Sequence, residues 1–283
     1  MDIFEFIEEV ENNSKINIPK LEGDYIKDGL LYCGKCNTPK QGRYSLGYRV
    51  VTPYILCKCE SEKYKAEQEA EKQRRKAERI ERRRNEAFPD CQGSLEDMRK
   101  WTFDKDDNAI PMLSQVGKRY VENFETFMQQ GKGLLIYGTV GTGKTFISAC
   151  IANALIDAGY KVLMTSFSRI ENTVFPLEDK QKYYDNLNNY DLLILDDFGV
   201  ERTSEYKQEI IYTVIDSRCK ANLPLIVTSN IGSEELKNPK NATEQRVFSR
   251  LFKMCHPVKV DSKDRRRKEL ANSFAEIQRL LGV

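Results

Sequence analysis

The fold is decided by one glycine-rich stretch, Gly138-Thr139-Val140-Gly141-Thr142-Gly143-Lys144-Thr145. It follows the short apolar run 134–137 and precedes a segment, 145–158, whose apolar residues recur at helical spacing. Glycines in such a loop let successive backbone N–H groups approach an anion, and the N-terminus of the following helix adds partial positive charge. This strand–loop–helix order predicts a phosphate-binding loop.

Each loop residue type has a chemical reason to be there. Lys144 supplies a mobile cation for the β- and γ-phosphates of a nucleotide, and the hydroxyl of Thr145 is a ligand for Mg²⁺. A carboxylate must complete the magnesium site, and Asp196 ends the next-but-one apolar run. We therefore expect ATP and Mg²⁺ to be bound by the following residues: Gly138, Thr139, Val140, Gly141, Thr142, Gly143, Lys144, Thr145 and Asp196.

Two polar residues next to this carboxylate suit catalysis. Asp197 directly follows Asp196 and is placed to polarise an attacking water as a general base, although it would equally cap the turn before Gly199. Asn230 follows the apolar run 224–229, where it could orient that water or simply occupy a turn. The pattern predicts ATP hydrolysis to ADP and phosphate.

The sequence from about residue 100 onward alternates apolar runs with helical segments. The runs 134–137, 161–165, 191–196 and 224–229 read as strands, and 257–260 suits a fifth. Continuous apolar strands alternating with helices are typical of a parallel sheet that is covered on both faces. The predicted fold class is α/β, with a five-stranded parallel sheet.

Bulk properties exclude little beyond membrane insertion. The 283 residues include 45 Lys and Arg against 43 Asp and Glu, so a net charge of +2 neither supports nor excludes a nucleic-acid partner. No run approaches the ~18 apolar residues of a membrane span. The acidic start, Met1-Asp2-Ile3-Phe4-Glu5, lacks the basic and apolar regions of a signal peptide. We expect a cytoplasmic protein.

Four of the eight cysteines cluster in sequence, as Cys33-x2-Cys36 and Cys57-x-Cys59. In a reducing compartment such a cluster favours metal binding over disulfides, and four thiolates make a closed tetrahedral Zn²⁺ site. Four unligated thiols are the alternative. The residues between the pairs read as a β-hairpin, and so small a module would need the metal in order to fold.

A charged segment follows the cysteines. Residues 60–86 combine many Lys, Arg and Glu with no Gly or Pro, which predicts a solvated helix held by i,i+4 ion pairs and without a core face. A contact between its basic part and a phosphate backbone is the alternative. The predicted domains are a zinc-binding module at 1–59, a helical linker at 60–90 and an ATPase domain at 91–283.

Basic residues near the C-terminus suggest contacts to the nucleotide. Residues 245–252 predict a helix on which Arg250 could reach the γ-phosphate of a neighbouring subunit, whereas a surface ion pair would explain Arg250 and Arg246 equally. The cluster Asp264-Arg265-Arg266-Arg267-Lys268 could supply one arginine to the nucleotide in cis.

These motifs, in this order, resemble the AAA+ ATPases, specifically the DnaC/DnaI-type replicative helicase loaders and the related IstB proteins. The resemblance covers roughly residues 95–270 and rests most on Asp196-Asp197-Phe198-Gly199 and Ser249-Arg250-Leu251. It implies that Asn230 is sensor 1, Arg250 the arginine finger and Arg266 sensor 2. Arg265 and Arg267 flank the last position, and the family's usual nearby glycine and aromatic are absent, so the register there stays open.

The resemblance also implies partners. Helicase loaders bind single-stranded DNA, and the segment 166–185 mixes aromatic with basic residues, which suits stacking on bases but also suits core packing. In DnaI-like loaders a zinc-bearing N-terminal domain engages a hexameric DnaB-type helicase, and phage-encoded loaders share this layout.

The function expected from the resemblance is ATP-dependent loading of that helicase during replication initiation, with self-association through the AAA+ domain. Two alternatives stay open. One is an IstB-like accessory ATPase of transposition, and the other is a non-catalytic adaptor in which ATP only stabilises a protein interface.

Overall fold

The computed structural model describes residues 20–46, 49–89, 97–199, 205–262, 274 and 277–281. The chain divides into two compact units, Met1–Glu78 and Arg79–Val283. Within the described ranges, no helix combines the length and apolar character needed to cross a membrane. The proposed sensor 2 residue Arg266, with Arg265 and Arg267, lies outside the described residues.

The first unit contains two small antiparallel hairpins. β1 (Tyr25–Lys27) pairs with β2 (Leu30–Tyr32), and β3 (Tyr44–Leu46) pairs with β4 (Arg49–Val51) between the two cysteine pairs. The second hairpin lies where the sequence predicts one. Leu31, Cys33 and Cys57 are buried here, so cysteines make up much of a very small core.

Helix α1 (Lys58–Ala87) confirms the charged helix predicted from composition. Exposed i,i+4 ion pairs run along it, with Arg75 and Glu71 at 2.6 Å and Lys63 and Glu67 at 3.7 Å. The boundary between the two units falls inside this helix, after Glu78. The domain limits 1–59, 60–90 and 91–283 stay a prediction.

The end of α1 corrects the expectation of a helix without a core face. Ala87 and the following Phe88 are buried in the core of the second unit. Arg84 forms an ion pair with Asp157 at 2.5 Å, and Arg83 donates to the carbonyl of Gly159. The charged segment 60–86 ends just before Ala87 and Phe88, so its composition does not include the residues that reach the core.

The second unit is an α/β layer structure. Its elements, in chain order, are α2 (Pro111–Glu122), α3 (Phe124–Gln129), β5 (Gly133–Gly138), α4 (Lys144–Asp157), β6 (Val162–Ser166), α5 (Phe167–Val174), α6 (Lys180–Leu187), β7 (Leu192–Phe198), α7 (Glu205–Lys220), β8 (Leu225–Ser229), α8 (Ser233–Lys237), α9 (Ala242–Met254) and β9 (Cys255–Val260). The strands form one parallel sheet in the order β6-β7-β8-β5-β9. The predicted fold class is confirmed.

The sheet is covered on both faces, as continuous apolar strands require. Successive strand residues point to opposite faces, so Leu134 and Ile136 belong to one core cluster while Leu135 belongs to the other. The first cluster packs against α4, and the second packs against α7 and α9. Cys150 on α4 is fully buried, as expected of a packing residue.

This topology brings the candidate residues to one edge of the sheet. Parallel strands end on the same side, and strand order places β5 directly beside β8 and β8 beside β7. The glycine loop after β5 therefore lies close to the carboxyl ends of β7 and β8, where ligands of open α/β sheets bind.

Candidate nucleotide-binding site and cysteine cluster

Three glycines of the loop, Gly138, Gly141 and Gly143, have positive φ angles. Gly138 has a φ of +134°, and a Cβ there would lie 2.1 Å from the carbonyl oxygen of Val260 on β9. Gly143 precedes α4 with a φ of +83°. Both are conformations that L side chains rarely adopt, so the loop can present its N–H groups to an anion only with these glycines.

Lys144 lies inside this loop. Its ammonium donates to the carbonyls of Gly138 at 3.1 Å and Thr139 at 2.7 Å, and the residue is only 6% exposed. The hydroxyl of Thr142 donates to the same Thr139 carbonyl at 3.0 Å. The loop thus encloses a cation at the N-terminus of α4, which is the chemistry that a polyphosphate needs.

A chain of hydrogen bonds joins the loop to the two neighbouring strands. Thr145 donates to the carboxylate of Asp196, with its hydroxyl 3.0 and 3.1 Å from the two oxygens. Thr228 on β8 donates to Asp196 at 2.6 Å and accepts from the backbone N–H of Asp197 at 2.9 Å. The sequence reasoning missed Thr228, although its place one step before the end of a strand beside β7 was a usable signal.

Asp197 has an unusual backbone. Its φ is +56°, and the pairing of β7 with β8 is irregular between Leu195 and Phe198. The amide of Asn230 donates to Asp197 at 2.6 Å. The bulge therefore interrupts the regular alternation of the strand at Asp197, and the carboxylate of Asp197 lies beside Asn230.

Burial raises the pKa of Asp196, against the hydrogen bonds from Thr228 and Thr145 that lower it. A half-buried carboxylate of this kind is stabilised by a nearby cation. A hydroxyl at the start of the helix and a carboxylate on a neighbouring strand are also the donor set that P-loop proteins offer to Mg²⁺. Thr145 and Asp196 therefore fit the predicted magnesium ligands.

A cleft of about 530 Å³ extends from the loop, within the ~300–1,000 Å³ of small-molecule sites. Asp196, Asp197 and Asn230 line one end of it. Met98, Trp101 and Phe146 line it as well, and the rings of Trp101 and Phe146 lie 5.5 Å apart. This apolar wall suits the base of a nucleotide.

The turn that carries Trp101 is held by one buried side chain. The amide of Asn153 on α4 donates to the carbonyls of Met98 at 2.9 Å and Trp101 at 2.8 Å. Sequence reasoning missed this wall because residues 98–105 form short 3₁₀ turns without periodicity. That Trp101 is the chain's single tryptophan was the available signal.

Thr139 of the glycine loop is hydrogen-bonded to the backbone of Ser262, just after β9. Thr139 both donates to the carbonyl of Ser262 at 3.0 Å and accepts from its N–H at 3.2 Å. Ser262 is the last described residue before 263–273, the range that includes Arg266. A role of Arg266, or of its neighbours Arg265 and Arg267, at the nucleotide stays a prediction.

Arg250 is not among the residues that line the cleft. It lies on α9, half exposed, with its Nε 2.8 Å from a carboxylate oxygen of Asp216 on α7. The intramolecular ion pair weighed for this residue is thus present. Arg246, one turn earlier, is exposed. A finger that acts on a neighbouring subunit stays a prediction.

The aromatic residues of 166–185 separate into two groups. Phe167 and Tyr184 are buried in the core, so packing explains them. Phe175 is 72% exposed, with its ring 6.4 Å from that of Tyr206 on α7. Lys180 lies over the Tyr206 ring, 5.1 Å from its centre. Tyr183 is partly buried against the same core. The exposed ring of Phe175, with Tyr206 and Lys180 beside it, is therefore available for stacking on bases.

The four clustered cysteines of the first unit meet in space. All four Sγ atoms lie within 4.8 Å of one another, with Cys33 and Cys59 at 3.6 Å and Cys57 and Cys59 at 3.4 Å. A tetrahedral Zn–S₄ site with ~2.3 Å bonds has sulfurs about 3.8 Å apart. A hydrogen bond with Thr38 lowers the pKa of Cys36 to about 5, whereas burial raises the pKa of Cys57. A bound cation would favour the thiolate form of the cysteines. The cluster fits a zinc ion.

A buried lysine links the two cysteine pairs. Lys40 is 2.9 Å from Asp24, which accepts the N–H of Gly34 in the first pair. It is 3.3 Å from Glu60, which accepts the N–H of Cys57 in the second pair. Burial lowers the pKa of Lys40, but its hydrogen bonds outweigh this and raise the pKa overall. The network orients both ligand loops, a role typical of groups behind metal ligands.

A family model described as IstB-like ATP binding protein matches residues 63–273. The chain belongs to this family. The nucleotide cleft and the order of the motifs agree with the ATP binding that the family description names. The match takes in the whole glycine loop, Asp196, Asn230 and Arg250, and it also extends into α1.

Curated relatives fall into two groups. The replicative helicase loader DnaI of Bacillus subtilis is 28% identical over 180 residues, which is 58% of each chain. The loader DnaC of Escherichia coli K12 is 28% identical over 134 residues, 46% of this chain and 52% of DnaC. An insertion sequence ATP-binding protein of Sinorhizobium fredii is 28% identical over 158 residues, 54% of this chain and 49% of that one. The chain thus spans about half the length of these relatives.

A solved structure supports the AAA+ fold. The crystal structure of the DnaC helicase loader matches with a TM-score of 0.50 and 20% identity, over 58% of this chain and 98% of that one. The expected resemblance to DnaC/DnaI-type proteins is confirmed at the level of family and fold. The phage origin left open by the resemblance stays a prediction.

The position of Trp101 yields a direct test of the cleft. Adding ATP with Mg²⁺ should change the fluorescence of this single tryptophan, because the base would displace water from its ring. Lys144→Ala should remove the response at the same nucleotide concentrations, since the loop then lacks its cation. An unchanged spectrum in the unsubstituted protein at millimolar ATP would contradict the assignment of this cleft.

The cysteine cluster yields a second test. The purified chain should contain about one zinc per molecule by atomic emission, and Cys57→Ser should lose most of it because three thiolates leave the closed site incomplete. Cys219→Ser, at a cysteine on α7 outside the cluster, is the matched control and should keep its zinc. Equal zinc contents in the two variants would rule out the cluster as the metal site.

Proposed function

We propose that this protein is an ATP-dependent loader that places a hexameric replicative DNA helicase of the DnaB type onto single-stranded DNA during replication initiation. The observation that carries the proposal is the 28% identity to the helicase loader DnaI over 180 residues, in a chain whose fold and nucleotide cleft are those of an ATP-binding family. A cytoplasmic location is part of the proposal.

In this account the cleft hydrolyses ATP to ADP and phosphate. Lys144 and the loop N–H groups hold the β- and γ-phosphates, while Thr145 and Asp196 hold Mg²⁺. The carboxylate of Asp197 takes a proton from the attacking water. Asn230 acts as sensor 1, because its amide donates to Asp197 at 2.6 Å and so fixes the carboxylate that faces the water. Bound magnesium neutralises charge on the phosphates.

The nucleotide works as a switch between subunits. Arg250 lies outside the cleft of its own chain, so it acts as the arginine finger on the nucleotide of a neighbour when the AAA+ domains self-associate. Arg266 acts as sensor 2 in cis, supported by the anchoring of Ser262 on Thr139. Hydrolysis then changes the interface and releases the loader from its partner.

The zinc-bearing first unit engages the helicase. Support comes from its chemistry, because a closed Cys₄ site has no open position for catalysis and serves to fold a small recognition module. The exposed aromatic–cation group of Phe175, Tyr206 and Lys180 contacts single-stranded DNA. A base can stack on an exposed ring while a lysine neutralises the adjacent phosphate.

The insertion sequence relative supports a second candidate, an accessory ATPase of transposition. It would use the same nucleotide cleft. The cysteine cluster lies before residue 63, where the family match begins, and a dedicated helicase-binding module accounts for it. A non-catalytic adaptor differs from both candidates in showing no ATP turnover.

The function is tested by capture and loading. The tagged full-length chain, used as bait in an extract of its native host, should retain a hexameric helicase. With ATP, that helicase should then transfer onto circular single-stranded DNA, measured by co-sedimentation. Lys144→Ala should load poorly, because nucleotide binding drives the switch. Retention of a transposase in place of a helicase would overturn the loader and favour the second candidate.

The DNA contact has its own test. Phe175→Ala should weaken binding of a fluorescent single-stranded oligonucleotide by about 1–3 kcal/mol, the worth of stacking one base on one aromatic ring. The nucleotide-dependent fluorescence of Trp101 should be unchanged. Phe252→Ala removes another exposed phenylalanine, on α9, and is the matched control. Equal DNA affinities in the two variants would exclude Phe175 as a contact.

A further inference from the structure

A buried carboxylate holds the arginine that the proposed mechanism uses between subunits. Asp216 on α7 is close to two cations, with one oxygen 2.8 Å from the Nε of Arg250 on α9 and the other 2.8 Å from the ammonium of Lys220. The side chain of Asp216 is 9% exposed, whereas those of Arg250 and Lys220 are 38% and 75% exposed. The carboxylate therefore belongs to the protein interior and the cations to its surface.

This burial distinguishes the pair from an ordinary surface ion pair. Exposed pairs contribute little and hold neither side chain in place, because water screens them and both partners are mobile. Asp216 is fixed by the packing of α7 against α9, in which Ile215 and Leu251 are completely buried. The 2.8 Å contact is an attraction between charges without hydrogen-bond geometry, since Oδ1 of Asp216 accepts no hydrogen bond within the described part of the chain. The fixed anion still attracts the guanidinium and so restricts the long side chain of Arg250 before any partner arrives.

The point of attachment matters for what the arginine can do. Asp216 lies 2.8 Å from Nε, the guanidinium nitrogen nearest the backbone, while the Arg250 side chain is 38% exposed. Tyr212, one turn before Asp216 on the same helix, forms a hydrogen bond with Arg250 that raises its pKa, and the charge of Asp216 raises it further. Two residues of α7 thus contact the guanidinium while part of the arginine side chain stays exposed to solvent.

We propose that Asp216 is a positioning residue that sets the guanidinium of Arg250 for the γ-phosphate of a neighbouring subunit. This inference rests on the proposed finger role of Arg250. Asp216 touches neither nucleotide nor metal and acts only through the arginine. Asp216 therefore affects the rate of ATP turnover in the assembled protein. It does not affect the affinity of each separate cleft for ATP.

Four variants of the full-length chain test the inference. They are Arg250→Ala, Asp216→Asn, the double variant with both changes, and Lys220→Ala as the matched control. Lys220→Ala removes the other cation of Asp216 and leaves the Arg250 pair in place. Asn preserves the size of Asp216, which avoids a cavity. ATP turnover is measured at protein concentrations that give self-association, with Trp101 fluorescence for nucleotide affinity and thermal unfolding for integrity.

The expected pattern is specific. Arg250→Ala should lower kcat by about 1,000-fold, the low end of the worth of an arginine finger. Asp216→Asn should lower kcat by about 10- to 100-fold with unchanged nucleotide affinity, as a misplaced catalytic group does. The double variant should be no slower than Arg250→Ala, because Asp216 has no role once the arginine is absent. Lys220→Ala should stay within about twofold.

Each departure has a separate meaning. Normal ATP turnover in Arg250→Ala would refute the assignment of Arg250 as the arginine finger. The positioning role of Asp216 would then be refuted together with that part of the proposed function. A slow Arg250→Ala together with a normal Asp216→Asn leaves the finger in place and overturns the positioning role. A double variant that is clearly slower than Arg250→Ala shows that Asp216 acts on stability or assembly, which also overturns it. If Asp216→Asn unfolds early, Asp216→Glu replaces it. A roughly 10- to 100-fold lower kcat in a Glu variant with normal thermal unfolding supports the role, whereas an unchanged kcat overturns it.

Discussion

The carboxylate of Asp196 is the interaction on which the rest of the nucleotide site depends. It accepts hydrogen bonds from Thr145 at the start of α4 and from Thr228 on β8, and Thr228 in turn accepts the N–H of Asp197. The carboxylate of Asp196 therefore connects the phosphate loop to the ends of two strands. Because these strands also carry core residues on both faces of the sheet, the packing of the sheet holds the site residues in place.

Much of this could be predicted from the sequence, because the determining signals are local. The loop at 138–145 requires particular residue types at fixed spacing, and Gly138 cannot be replaced without a clash against β9. The apolar strands are long enough for their alternation with helices to fix the fold class. The spacing of the four cysteines likewise predicts their cluster, and their sulfur atoms lie within 4.8 Å of one another.

The features that sequence reasoning missed depend on long-range packing. Trp101 reaches the cleft because Asn153, on a helix distant in sequence, binds the turn that carries it. Ala87 is buried because the last turn of a charged helix meets the core of the second unit. Asp216 pairs with Arg250 because α7 packs on α9. No periodicity within one segment encodes such partners, so they appear only once the fold is known.

The central claim is that ATP turnover is completed by a neighbouring subunit, and mixing two inactive variants tests it most directly. Lys144→Ala lacks a working nucleotide cleft but retains Arg250, whereas Arg250→Ala retains the cleft and lacks the arginine. Mixed assemblies bring an intact cleft beside an intact arginine, so the account predicts that the mixture hydrolyses ATP clearly faster than either variant alone. A mixture no faster than the sum of its two components, in assemblies shown to contain both, would contradict it.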